Sequence, residues 1–446
     1  MQKSSLLILG ALFGLGAASL GFESRLLASQ PAEAAPAADT YRQINLFGDV
    51  LERIKADYVD KPDDAELVKA AIDGMLASLD PHSNFMDAKS FHEMQSDIHG
   101  RFAGVGLEIA AEDGVIEVMA SVPGTPAARA GIVSGDLITQ IDGKAVRSLT
   151  LDQAIKRMHG AVKTSIRLTI LRKDRKDPFD VKLTREIIHV KTVNFRKEDG
   201  VGYIQITQFG EQTAENLRAA IESLKKDIGE DKLKGYIVDL RNDPGGLLDQ
   251  AIGVCDALLA RGEIVSTRGR NPEATMRWDA RHGDLTKGKP LVVLINGGSA
   301  SASEIVAGAL QDHKRATLLG TRSFGKGSVQ TIIPVGNDAA IRLTTARYYT
   351  PSGRSIQAKG IEPDIKVLEA VPDDLKGKDE AKGEASLRGH LANAKGEDSS
   401  ASQAYVAPDP AKDTQLIAAL DFLRGKTVTK TEPSSEPPKQ PVTKEN

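Results

Sequence analysis

Cysteine is almost absent from this 446-residue chain: Cys255 stands alone, which excludes an internal disulfide and a thiolate metal cluster. It sits in the apolar helical run AIGVCDALLA, bracketed by no His–acid motif, so it reads as a packed thiol and not a nucleophile. Excess charge is lacking too. Against 61 acidic residues stand 58 basic ones, a formal net charge of −3. That near-balance argues against nucleic acid as the main partner, since neutralising phosphates needs a basic surplus or patch. Beyond the first residues no long apolar run occurs, and no internal repeat is evident. The length suits about three domains, and a hydrophobic content of 40% can fill more than one core.

The N-terminus sets the compartment. Lys3 precedes Leu6–Phe22, 17 uncharged residues. LASQPAEAAPA follows, with Ala32-Glu33-Ala34 as an A-x-A-like site. The pattern reads as an export signal over 1–35, cleaved near Ala34 or Ala35. An uncleaved anchor is the alternative, the stretch lying at the short edge of a membrane span. No cysteine follows it, which excludes a lipid-anchored lipoprotein. Either way the body is expected in the periplasm or on the outer face of the inner membrane.

Residues 36–98 read as helical: Ile44, Phe47, Leu51, Ile54 and Tyr58 recur at helical spacing, as do Leu67, Ala71, Ile72, Met75 and Leu79. Such faces are core or subunit contact. Asp80-Pro81-His82-Ser83 stops the second helix, and His82 reads as a loop or cap residue. Residues 99–185 carry short strands and the turn Asp142-Gly143. Residues 186–370 alternate strand and helix, with Leu291–Ile295 as a buried strand, which argues for a layered α/β core. From 371 to 446 the composition is that of a solvated polar linker, one amphipathic helix over Asp413–Arg424 and a disordered tail.

The chemistry concentrates between 239 and 330. Asn296-Gly297-Gly298-Ser299-Ala300-Ser301-Ala302-Ser303-Glu304 leaves the buried strand and opens a helix. A hydroxyl there lies near unpaired N–H groups and the positive end of the helix dipole, which suits a nucleophile whose attack creates an oxyanion. An N-cap serine explains the local pattern equally well. The segment is not G-x-S-x-G. Downstream, Lys326 is flanked by glycines in FGKGSVQ, and strand alternation puts it on one face with Gln330. A neutral lysine can serve as a general base for serine. Bringing an amine from about 10.4 to about 7 costs about 4–5 kcal/mol against the charged form, which burial can supply. An exposed lysine in a glycine-rich turn is the alternative, and the phosphate-loop spacing fails. Asp239-Leu240-Arg241-Asn242-Asp243-Pro244-Gly245-Gly246 can offer backbone N–H groups or be an ordinary turn. Ala103-Gly104-Val105-Gly106-Leu107 precedes a strand, where successive N–H groups can cradle a terminal carboxylate and the strand can accept an added peptide.

Together GMLASLDPHS, GVGLEI, ARAGIVSGDLI, DLRNDPGG, NGGSASASE, FGKGSVQ and PSGRSIQAKGIEPD resemble, in order, the blocks of the carboxy-terminal processing (tail-specific) serine proteases over roughly 40–370, and the DTQLIAALDFLR helix fits as well. The resemblance implies an α+β multidomain fold: a ClpP/crotonase-like β-spiral protease core (186–370), an inserted PDZ domain (99–185) and an N-terminal helical segment. It implies Ser301 as nucleophile, Lys326 as general base and Gln330 as its orienting residue. It places the oxyanion hole at the N–H of Ala302 with that of Gly245 or Gly246. Val105, Gly106 and Leu107 would take the substrate tail. Asp312 falls where some relatives have a functional acid, but a surface aspartate is ordinary there, so it stays outside the expected site. His313 is expected to face solvent. The expected activity is endopeptidase cleavage of envelope proteins near their C-termini, without metal or cofactor. It also implies that PDZ docking gates the site, the resting enzyme being misaligned. Expected partners are the C-terminal tails of protein substrates, an adaptor protein and further copies of the chain. The competing readings are a non-enzymatic PDZ scaffold with a degenerate core, and a crotonase-type acyl-CoA enzyme.

Overall fold

Leu291–Ile295 is apolar at every position because it is covered on both faces. Val293 and Ile295 point to one side, with Val238 and Leu318. Val292 and Leu294 point to the other, with Ile237 and Leu319, as the period of two requires. The strand lies within a six-stranded sheet of order Val193–Glu198, Val201–Ile206, Gly235–Asp239, Leu291–Ile295, Thr317–Gly320 and Ile365–Lys366. All neighbours run parallel except the first hairpin. Helices Thr213–Ile228, Leu248–Leu258 and Ala302–Asp312 cover the first face. Helix Thr414–Leu423 covers the second with Leu416 and Ala419. Each large side chain so buried contributes about 1.5–3 kcal/mol relative to exposure. Cys255 is fully buried among these helices, as a packed thiol should be.

These elements belong to a computed structural model that describes residues 34–428, apart from 99–100, 113–114, 176, 190, 282, 337, 378–379 and 400–401. Most of the expected export signal and the whole expected disordered tail lie outside the described residues. No helix among the described residues is long and apolar enough to cross a membrane. The chain divides into two units, residues 1–72 and 73–446.

In the first unit, helix Ala34–Asp57 leaves its apolar stripe uncovered: Ile44, Phe47 and Tyr58 are exposed, Phe47 by 52%. Asp63 caps the next helix by accepting from the N–H of Ala65 and Glu66.

The second unit holds a further five-stranded sheet built on Ala339–Tyr349, which pairs with Asn84–Met86, Gly262–Gly269 and Ser328–Val335. It also holds a small β domain. There Leu107–Glu112, Val115–Ser121, Leu137–Ile141, Ser165–Leu171 and Phe179–Thr184 form a sheet around Val118, Ile138, Leu168 and Ile170. Asp142 and Gly143, both at positive φ, make a two-residue hairpin turn between Ile141 and Lys144. Thr150 and Gln153 form a capping box on helix Leu151–Met158. Strands Arg101–Gly104 and Glu186–His189 pair with each other, so the chain enters and leaves this domain along one two-stranded stalk.

One expectation gives way here. The polar composition after 371 reads as a solvated linker, yet the segment packs on the core. Glu384 and Asn393 are buried, Gln403 O accepts the N–H of Gly297, and Ala404 O accepts from Asn296 Nδ2 at 2.9 Å. Its polar groups satisfy buried backbone atoms, so polarity there does not mean solvation.

Candidate active site

Ser299, Ser301 and Ser303 are indistinguishable by type, but their surroundings separate them. Ser299 is fully buried, and its hydroxyl donates to Leu240 O at 2.7 Å. Ser303 is fully buried as well and donates to Asp243 O at 3.0 Å. Both serve the turn. Ser301 is only half-buried, caps helix Ala302–Asp312 and sits at φ 55°, ψ −111°. A non-glycine residue there is strained and persists only where the surroundings over-determine it. They do: Ala300 N–H donates to Asp243 O, Asn296 Oδ1 accepts from Asn242 N at 2.9 Å, and Glu304 Oε2 accepts from Ser301 N at 2.8 Å.

Glu304 is the residue that the motif reading passed over. It is fully buried, and four donors converge on it: Ser301 N, Ser323 Oγ, Gly325 N and Lys326 N. One oxygen, Oε2, takes the amides of both Ser301 and Lys326, so a single carboxylate ties the serine turn to the lysine turn. Burial pushes its carboxyl up to about 7, and the converging hydrogen bonds limit the rise. The signal was present as the S-x-x-E spacing of Ser301 and Glu304, a capping box.

Lys326 is half-buried, and burial holds its amine below the ordinary lysine value. Glu384 opposes that shift and Arg342 reinforces it, with smaller opposing influences from Glu304 and Asp80. The expected alternation with Gln330 does not apply. The strand begins at Ser328, after Lys326, and its register shifts between Val329 and Gln330. Gln330 Nε2 donates to Ser328 Oγ at 2.8 Å and Thr344 Oγ1 at 3.3 Å. Among the described residues no hydrogen bond joins Lys326 Nζ to Ser301 Oγ or to Gln330, so the three side chains are not engaged with one another.

Gly245 packs directly on the serine turn. A Cβ there would lie 2.7 Å from Ala300 O and 2.8 Å from Ala302 N, and its φ is +96°. Its N–H donates to Asp243 Oδ1 at 2.8 Å. Ala302 opens its helix, where the N–H has no intrahelical acceptor. Burial pushes the Asp243 carboxyl up to about 8. Asp312 accepts from Ser352 N at 2.9 Å and pairs with Arg354, so it fastens a turn. Contrary to expectation, His313 is partly covered and hydrogen-bonds Glu263 O at 2.7 Å through Nε2. His82 faces the fully buried Glu384 at 2.8 Å, a longer-range contact than a loop cap implies.

In the small domain, Val105, Gly106 and Leu107 all line a pocket of about 230 Å³, with Ile109, Ile155, Met158 and His159. Leu107–Glu112 is the edge strand beside it, paired on one side only within this sheet. Gly106 needs its glycine: at φ +79° a Cβ would meet Thr125 Cβ at 2.3 Å.

Comparison with known proteins agrees with this layout. The profile of peptidase family S41 matches residues 200–367. A PDZ domain profile matches 117–172. The profile of the activating protease CtpB N-terminal domain matches 19–90. The chain is 54% identical over 388 residues to a carboxy-terminal-processing protease of Bartonella bacilliformis, covering 87% of this chain and 89% of that one. It is 37% identical to the carboxy-terminal processing protease CtpA of Bacillus subtilis, covering 73% and 68% respectively. Among solved structures, the photosystem II D1 C-terminal processing protease matches with a TM-score of 0.46 at 30% identity, over 73% of this chain and 88% of that one.

Proposed function

Because the chain belongs to the carboxy-terminal-processing serine peptidases of family S41 and carries a PDZ domain, we propose that it cuts exported proteins near their C-termini with a Ser301–Lys326 dyad. The PDZ pocket takes the substrate tail: its edge strand pairs with the tail backbone, and the Val105–Leu107 turn receives the terminal carboxylate. Neutral Lys326 removes the proton of Ser301 Oγ, which attacks the scissile carbonyl. The leaving amine takes a proton, and water activated by the same lysine hydrolyses the acyl-enzyme. Ala302 N–H is one oxyanion donor. Gly245 N–H is engaged by Asp243, so Gly246 supplies the second.

The observation that carries this reading is the shared Glu304 oxygen, which binds the amides of a strained, half-buried serine and a desolvated lysine. The dyad is not closed in the free chain. Substrate docking supplies that step, and Gln330 then turns from Ser328 and Thr344 to the amine. The body acts in the periplasm or at the outer face of the inner membrane. Its copies associate through the uncovered stripe of Ala34–Asp57, and an adaptor brings substrates. The test is fluorophosphonate labelling with tail-dependent proteolysis. Ser301→Ala and Lys326→Ala should both lose processing while keeping the parent melting temperature. An active Lys326→Ala protein refutes the dyad.

A further inference from the structure

The C-terminal segment meets the site on the lysine side. Glu384 donates its backbone N–H to Phe324 O at 3.0 Å, at one end of the turn that holds Lys326. Its carboxylate accepts from Gln357 Nε2 at 2.9 Å, and Gln357 Oε1 accepts the N–H of Gly327 at 3.0 Å, at the other end. His82 Nε2 donates to the same carboxylate at 2.8 Å and 3.0 Å. The His82 loop is itself fixed, since Asp80 accepts from Ser83 Oγ at 2.8 Å and Ser83 Oγ accepts from Thr344 N at 3.1 Å. Glu384 is fully buried.

We propose that Glu384 is a positioning residue of the peptidase: a buried carboxylate delivered by the C-terminal segment that clamps both ends of the Lys326 turn. The inference rests on Lys326 being the base. The charged groups acting on Lys326 come from four places: Glu384 from this segment, Arg342 from strand Ala339–Tyr349, Glu304 from the nucleophile helix and Asp80 from the loop before Asn84–Met86. His82 acts on it through Glu384. Among the described residues Arg342 makes no ion pair, and its guanidinium reaches Met86 Sδ. An anion near an amine favours the protonated form and a cation disfavours it. The two side chains therefore pull the base in opposite directions, and catalysis needs the neutral amine.

The experiment measures the pH dependence of kcat/KM and of the fluorophosphonate labelling rate on the full chain. The variants are Glu384→Gln, Glu384→Asp, Arg342→Gln and Lys326→Ala, with melting temperatures alongside. Glu384→Gln should move the acid limb to lower pH and lower the plateau kcat about tenfold, as the turn loosens. Arg342→Gln should move the same limb to higher pH. Glu384→Asp should keep the parent limb. A purely structural glutamate would lower activity evenly without moving either limb. Unmoved limbs in both charge variants, beside an inactive Lys326→Ala, overturn the proposal and leave the dyad standing. An active Lys326→Ala overturns the dyad itself. If Glu384→Gln does not fold, Arg342→Gln decides alone, and an unmoved limb there is fatal.

Discussion

The serine turn and the lysine turn lie side by side yet are held by different means. The serine turn is fixed by its own helix and by the turn after the neighbouring strand Gly235–Asp239: Glu304 caps it, and Ser299 and Ser303 donate to Leu240 and Asp243. The lysine turn is fixed from outside. Its amides go to Glu304 and Gln357, its carbonyl at Phe324 goes to Glu384, and its amine bonds neither Ser301 nor Gln330. Both turns thus depend on contacts from elsewhere in the chain, the serine turn on the Leu240–Asp243 turn and the lysine turn on Glu304, Gln357 and Glu384. The proposed tail-dependent activation then needs only the Lys326 amine to move, since among the described residues it bonds neither Ser301 nor Gln330.

The sharpest way to break the comparison is to remove each partner. Ser301→Ala and Lys326→Ala should each cut kcat by at least about a thousandfold. If the serine turn is self-sufficient, crystals of Lys326→Ala should show Ser301 still near φ 55°. Glu304→Gln attacks the side-chain link between the turns, which Phe324 N–H to Ser299 O joins as well, since an amide cannot accept all four donors. It should cost about 1–3 kcal/mol of stability and lower kcat about a hundredfold, read by denaturant melts and progress curves. Gln330→Ala touches only the lysine side and should lower kcat about tenfold with KM unchanged; an unchanged kcat would confine Gln330 to its contacts with Ser328 and Thr344. The smallest effect concerns Asp243, behind the serine turn. Burial raises its carboxyl from 3.8 to about 8, so the folded state binds that proton more tightly than the unfolded one. The resulting advantage is full below about 4 and fades as pH rises towards 8. Asp243→Asn removes that titration, so its melting temperature should gain on the parent's across this window. A constant difference would show the carboxyl titrating normally.

The sequence made one of these turns far more legible than the other. Small residues after an apolar strand marked the serine turn because a sharp strand-to-helix connection requires them, though that local pattern did not tell Ser301 from Ser299 and Ser303, which the family resemblance did and which their burial sets apart. Lys326 stood out by its motif as the expected base, but its surroundings could not be read from the sequence. Alternation failed because the strand starts two residues later and is irregular at Gln330. Glu384 was hidden because polar composition records side-chain chemistry and not whether partners wait in the core. Glu304 was readable as a helix cap, and its second duty to Lys326 was not, since that depends on a contact 22 residues away in sequence.

The anchoring of Asn296 to Ala404 and of Gly297 to Gln403 has a consequence for biogenesis. A ribosome makes the nucleophile about a hundred residues before it makes these anchors. Throughout that interval, and for as long as a threading chain is held extended, the unfinished polypeptide lacks the braces of its own cutting centre. Such an order of assembly leaves the serine turn short of these two hydrogen bonds until nearly the whole body has emerged.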